Sequence, residues 1–221
     1  MYNAIKLFWG TIYARKGKHT MPRKEDLRYL RTNKKLYETF YSLLKEMVVD
    51  DMTVTVVCDA AKLNRATFYK HFNDRFEFIE FCIAQKIRRS RYEKNGLETP
   101  VQESIYEDSM NEMFDLLRLI QTTNPDNLLD GTPSLLIIFK SLTKFYYAEY
   151  KAYVESVHEQ GVQFAEDEEV IASARTGSIS FMVFDYMKLK SPLEPDDDHR
   201  VSHNVAMDIK AIRYLLEEIK N

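Results

Sequence analysis

The stretch Thr53–Phe72, TVTVVCDAAKLNRATFYKHF, constrains this chain more than any other. Val54, Val57, Cys58 and Ala61 recur at steps of three and four, which predicts a short helix with one buried face. Thr53 stands where an N-cap belongs. Lys62-Leu63-Asn64 makes a tight turn, and Asn64 can cap a second short helix whose first turn holds Arg65, Ala66 and Thr67. Phe68 and Phe72, four apart, point inward. That leaves Arg65, Thr67, Tyr69, Lys70 and His71 together on one short helix. Two short helices about a tight turn, the second rich in donors, form the layout that presents a helix to the DNA major groove.

Charge is distributed to match. Residues 1–95 carry 20 Lys and Arg against 11 Asp and Glu, and the remainder of the chain reverses the balance to a net charge of −3 overall. Only the front half is suited to a polyanion. With 221 residues and 45% hydrophobic content, the chain can fill a real core. Cys58 and Cys82 each fall among apolar residues and read as buried free thiols, which points to a reducing, cytoplasmic setting. No stretch reaches the roughly 20 apolar residues that cross a bilayer. The first residues are not expected to act as a signal peptide: Lys6 breaks the apolar part and no small-residue cleavage site follows.

Residues 1–25 read as a basic arm, with Arg15, Lys16, Lys18, His19, Arg23 and Lys24 in little periodic order. A solvated tail and an extension along DNA phosphates are both open readings. Met21 is a second candidate start. A helix is expected from about 26 to 49, with Leu36, Phe40, Leu43, Leu44, Met47 and Val48 as its stripe. Asn73 or Asp74 caps a helix with Phe76, Ile79, Ile83 and Ile87 inward. Asn95-Gly96 closes it, so the reading unit is placed at 26–95 and a separate helical body at 96–221. The body shows periodicity over 101–123, over 132–160 with Pro133 at N1, over about 167–190, and over about 200–220. An acidic linker, Ser191 to Asp198, precedes the last of these. No strand pattern or repeat is evident.

At residues 33–80 the pattern resembles the DNA-binding domain of the TetR family (TetR/AcrR-type) of bacterial transcription regulators. Thr53, Val54, Val57, Ala61, Leu63, Thr67, Phe68, Tyr69, His71, Phe72 and Arg75 carry the likeness, with Phe78 in the apolar place that follows. Three positions depart from it: Lys62 stands where the turn usually has Gly, Asn64 where Ser is common, and Arg75 where Lys is usual. The resemblance implies an all-α fold. An N-terminal three-helix helix-turn-helix DNA-binding domain would precede a C-terminal helical bundle for ligand binding and dimerisation. It also implies a homodimer on a palindromic operator, paired through the last two helices, and a repressor released by a small-molecule effector. A helical co-regulator that acts through protein–protein contacts without direct DNA binding is the alternative.

Within that reading, Arg65, Ala66 and Lys70 are the candidates for base edges. Thr53, Thr67, Tyr69, His71 and Arg75 are the candidates for backbone contact, and Thr55, Lys62 and Asn64 complete the set of DNA-binding candidates. In the body, Met110, Met113, Phe114, Leu117, Phe139, Tyr146 and Tyr150 form an aromatic and Met stripe. Such a stripe is core, or it lines a site for an apolar or amphipathic effector. Other chemistry is weak. Ser141 and Lys144 fit S-x-x-K without a partner motif. His199 and His203, near Asp196 to Asp198, are four apart but read as a solvated helix start. No catalytic residue, metal site, cofactor or membrane partner is expected.

Overall fold

The protein is described here as a computed structural model, which covers residues 24–95, 105–159, 161, 164 and 166–189. Those residues are all-helical: α1 (Lys24–Leu43), α2 (Val54–Ala60), α3 (Arg65–Tyr69), α4 (Arg75–Asn95), α5 (Ile105–Thr123), α6 (Pro133–Glu159) and α7 (Glu168–Leu189), with 3-10 turns at Val49–Asp51 and Pro125–Leu128. The basic arm, Met21, the acidic linker, the helix expected over 200–220, and His199 and His203 lie outside the described residues.

Helix starts are set by local caps. The Thr53 hydroxyl accepts from the Val56 N–H at 3.3 Å, and Asn64 Oδ1 accepts from the Thr67 N–H at 2.7 Å. Asp74 Oδ1 caps α4 through the Glu77 N–H, while Glu77 reaches back to the Asn73 N–H. This is a reciprocal arrangement close to a capping box. Thr132 accepts from the Leu135 N–H ahead of Pro133, as expected of a Thr-Pro start.

The expected first helix is shorter than its apolar stripe. α1 stops at Leu43, and the chain tightens through Lys45–Ser42 and Glu46–Leu43 backbone bonds. Val48 then turns extended, with φ −76° and ψ 152°. The turn that follows drives Val49 and Met52 fully into the core, which a continued helix would not allow. A second correction concerns Phe76. Expected inside, it is 46% exposed at the first turn of α4, with the Arg75 guanidinium over its ring. Phe78 takes the buried place instead.

The N-terminal head, α1 to α4, is built around rings. Phe40 of α1, Phe68 of α3, Phe72 and Phe78 meet with centroid separations of 5.4 to 5.9 Å, mostly edge to face. Leu36, Val57, Cys58 and Ala61 close the same core. That core runs without a break along α4 into the body, where α6 packs chiefly against α7 and next against α4. Tyr146 and Tyr150 of α6 are completely buried. Arg88 of α4 lies over the Phe145 ring and 3.7 Å from Glu149, and Lys144 reaches Glu80 at 2.5 Å. Among the described residues, no helix is long and apolar enough to cross a membrane.

Candidate nucleic-acid interface

α3 is five residues long and buries only Phe68. Its remaining side chains face outward because a helix of that length has one inward direction. Arg65, Ala66, Tyr69 and Lys70 are exposed, with Tyr69 at 51%. Asn64 holds the helix start through both the N–H and, at 2.8 Å, the hydroxyl of Thr67. Thr53 and Thr55 are exposed at the start of α2, and Lys62 is exposed in the turn. Every residue read as a base or backbone candidate thus lies on the α2–turn–α3 unit or directly after it.

Two more of them bond to partners far along the chain within the head. His71 is half-buried: its Nδ1 donates to Asn33 Oδ1 at 2.5 Å, and its ring stacks on Tyr29 at 4.2 Å. Burial holds its pKa below the ordinary histidine value of 6.5, so at pH 7 the ring is neutral and adds no charge toward phosphate. Arg75 donates to the Asp50 carbonyl and, at 3.0 Å, to the Asp50 carboxylate. Neither Asn33 nor Asp50 was singled out from sequence. A buried Asn in the apolar stripe of α1 was the one local signal for the first.

The sign of the His71 effect follows from its lowered pKa. Below pH 6.5 the unfolded chain binds a proton that the folded head resists, so stability is lost as pH falls through that value. The melting temperature of the wild type is expected to fall more steeply between pH 7.5 and 5.5 than that of His71→Gln. Parallel curves would contradict the assignment.

Lys62 is the one non-glycine residue with positive φ among the described residues, at +49°. The departure noted in the sequence therefore falls on a left-handed position that disfavours a Cβ. Lys62→Gly is expected to stabilise the fold by about 1 kcal/mol, a rise of roughly 2–4 °C in Tm. Calorimetry showing no rise would contradict the strain.

In the body, Met113, Leu117 and Phe139 line a void shared with Leu135, Ile138, Leu142, Ser180 and Phe184, and it encloses only about 10 Å³. A drug-sized ligand needs roughly 300 Å³ or more. Phe114, Tyr146 and Tyr150 do not line that void and are core, and the Tyr146 hydroxyl lies 3.4 Å from the buried Glu112 carboxylate. The Met110 side chain is outside the described set. Ser141 and Lys144 do not form a nucleophile–base pair. The Ser141 hydroxyl donates to the Ile137 carbonyl at 2.8 Å, and Lys144 turns to Glu80. No cluster of metal-ligating side chains occurs among the described residues.

No protein-family model matches the chain, and no curated protein matches it. Solved structures similar to it include TetR-family and FadR transcriptional regulators, and also the superantigen PfiT at 12% identity over 85% of this chain and 97% of its own, with a TM-score of 0.39. The fatty acid degradation regulator FadR from Bacillus halodurans matches at 16% identity over 79% of this chain and 92% of its own, with a TM-score of 0.46. FadR from Bacillus subtilis, solved in complex with stearoyl-CoA, matches at 14% identity over 78% and 95%, with a TM-score of 0.45. A TetR-family transcriptional regulator from Streptomyces coelicolor matches at 13% identity over 83% of each chain, with a TM-score of 0.40.

Proposed function

We infer that this chain is a cytoplasmic, sequence-specific DNA-binding transcription regulator. It acts as a homodimer and as a repressor released by a small apolar or amphipathic effector. The observation that carries the reading is α3: a short helix anchored by one fully buried ring, capped by Asn64, and presenting Arg65, Ala66, Tyr69 and Lys70 to solvent. Arg65 and Lys70 read base edges, while Thr53, Thr55, Lys62 and Tyr69 hold the backbone. The Thr67 hydroxyl already serves Asn64, so its part is to fix the start of the reading helix.

One head reads only a few base pairs, so useful specificity needs two related by symmetry. The outer face of α7 supports this pairing. Val170, Ala174, Gly177, Ser178 and Phe181 recur at steps of three and four and are all exposed, with Val170 at 53% and Phe181 at 66%. Small residues flanked by large apolar ones suit close helix approach. The effector enters where α5, α6 and α7 meet. Because the void there is far too small for such a ligand, binding has to part α7 from α6, and a ligand that favours the parted state shifts the population away from the DNA-competent one.

Light scattering and a gel shift against DNA from the region upstream of its own coding sequence test the reading together. A dimer that retards this DNA, with affinity falling steeply with salt, is expected. A strict monomer refutes the pairing. A dimer that ignores DNA at low salt but captures a protein favours the co-regulator alternative.

A further inference from the structure

The 3-10 turn Val49–Asp51 feeds directly into α2, yet it has no local cap: Val48 offers no side-chain bond to its first N–H groups. Those groups would be orphans. They are satisfied from far along the chain. Asn127 Oδ1 accepts from the Val49 N–H at 2.7 Å, and Ser134 Oγ accepts from the Asp50 N–H at 3.0 Å. Asn127 is fully buried and Ser134 is 2% exposed; the Asn127 bond is buried, and the Ser134 bond is part-buried because Asp50 is half-exposed. Asn127 belongs to the 3-10 turn before α6, and Ser134 to the first turn of α6 itself. The same Asp50 is held from its other side by Arg75, at the start of α4 immediately after the reading helix. One residue is therefore gripped both by the body and by the helix that follows α3.

We propose that Asn127 and Ser134 are positioning residues that set the angle of the reading head on the body. Through that angle they set the separation of the two heads on DNA. The operator consequence rests on the DNA-binding dimer proposed above; the junction itself does not. A helix pair held only by apolar packing can slide by a fraction of a turn at small cost, because such contacts have no direction. Two directional bonds to consecutive N–H groups, one buried and one part-buried, fix the register, since a slide leaves the desolvated Val49 donor without a partner. Any shift of the start of α6 is passed to the turn at Val49–Asp51 and onward to α2.

The test compares wild type, Ser134→Ala, Asn127→Ala and the conservative Ser134→Thr. The first readout is binding to palindromes whose half-site spacing is varied one base pair at a time. Wild type and Ser134→Thr are expected to favour one spacing sharply. Ser134→Ala is expected to lose about fivefold of that discrimination, the weight of one hydrogen bond, with base preferences within each half-site unchanged. The second readout needs no DNA: amide exchange by NMR. Val49 and Asp50 are protected in wild type, and the Asp50 amide exchanges at least about tenfold faster in Ser134→Ala. Unchanged exchange in both alanine variants overturns the junction. Changed exchange with an unchanged spacing profile overturns its role in head separation. Wild type that binds no palindrome at any spacing refutes the DNA reading, and the exchange result then decides the junction alone.

Discussion

Phe68→Ala is expected to cost about 3–5 kcal/mol, lowering Tm by roughly 8–15 °C and removing the helical signal of the head first. Phe68 is fully buried and meets Phe72 at 5.6 Å and Phe78 at 5.5 Å. It is also the single side chain that anchors α3, a helix far too short to persist in water by itself. Deleting the ring leaves a cavity among rings that cannot all collapse into it. α3 then frays, and every outward side chain it carries loses its place. Phe76→Ala is the control. That ring is nearly half exposed, so its loss is expected to cost well under 1 kcal/mol. Equal destabilisation by the two substitutions would show that the head is not packed as described.

The second large effect concerns discrimination rather than stability. Arg65 stands at the first position of α3, exposed. A bidentate contact from such a position to guanine N7 and O6 is worth about 1–3 kcal/mol. Arg65→Ala is therefore expected to weaken binding to the best site roughly 10- to 100-fold and to relax the preference at one base position per half-site. Tyr69→Phe should instead weaken binding to all sequences by a similar factor, since a phosphate contact carries no base information. Neither change should move Tm by more than about 1–2 °C, because both side chains lie outside the core. If binding at fixed salt is unchanged by both, α3 is not the reading helix.

How far the sequence revealed these features depended on the range of each interaction. Thr53, Asn64 and Asp74 were legible as caps because each bonds an N–H three residues ahead. The left-handed turn was legible for the same reason: Lys62 stands where Gly is favoured, and φ is a local quantity. The long-range bonds were not. His71 and Arg75 read as outward backbone contacts, but their partners, Asn33 and Asp50, lie 38 and 25 residues away. The grip of Asn127 on Val49 spans 78 residues, and no periodicity reports it. Periodicity also overran the true end of α1 and placed Phe76 inside. A stripe marks a face but not where the core beneath it ends. In the body, the aromatic stripe left core and ligand site open together. Tyr146 and Tyr150 are fully buried, and Met113 and Leu117, equally part of the core, lie with Phe139 beside the small void.

The central claim is that α3 reads sequence in DNA as one of two symmetric heads. Selection of duplexes from a random pool by the full-length protein, at physiological salt, tests it most directly. The expected result is enrichment of a palindrome whose half-sites lie about one helical turn, or a multiple of it, apart. Arg65→Ala run through the same selection should lose preference at one position in each half. A pool that stays unenriched for the wild type, or a motif identical for wild type and Arg65→Ala, would contradict it.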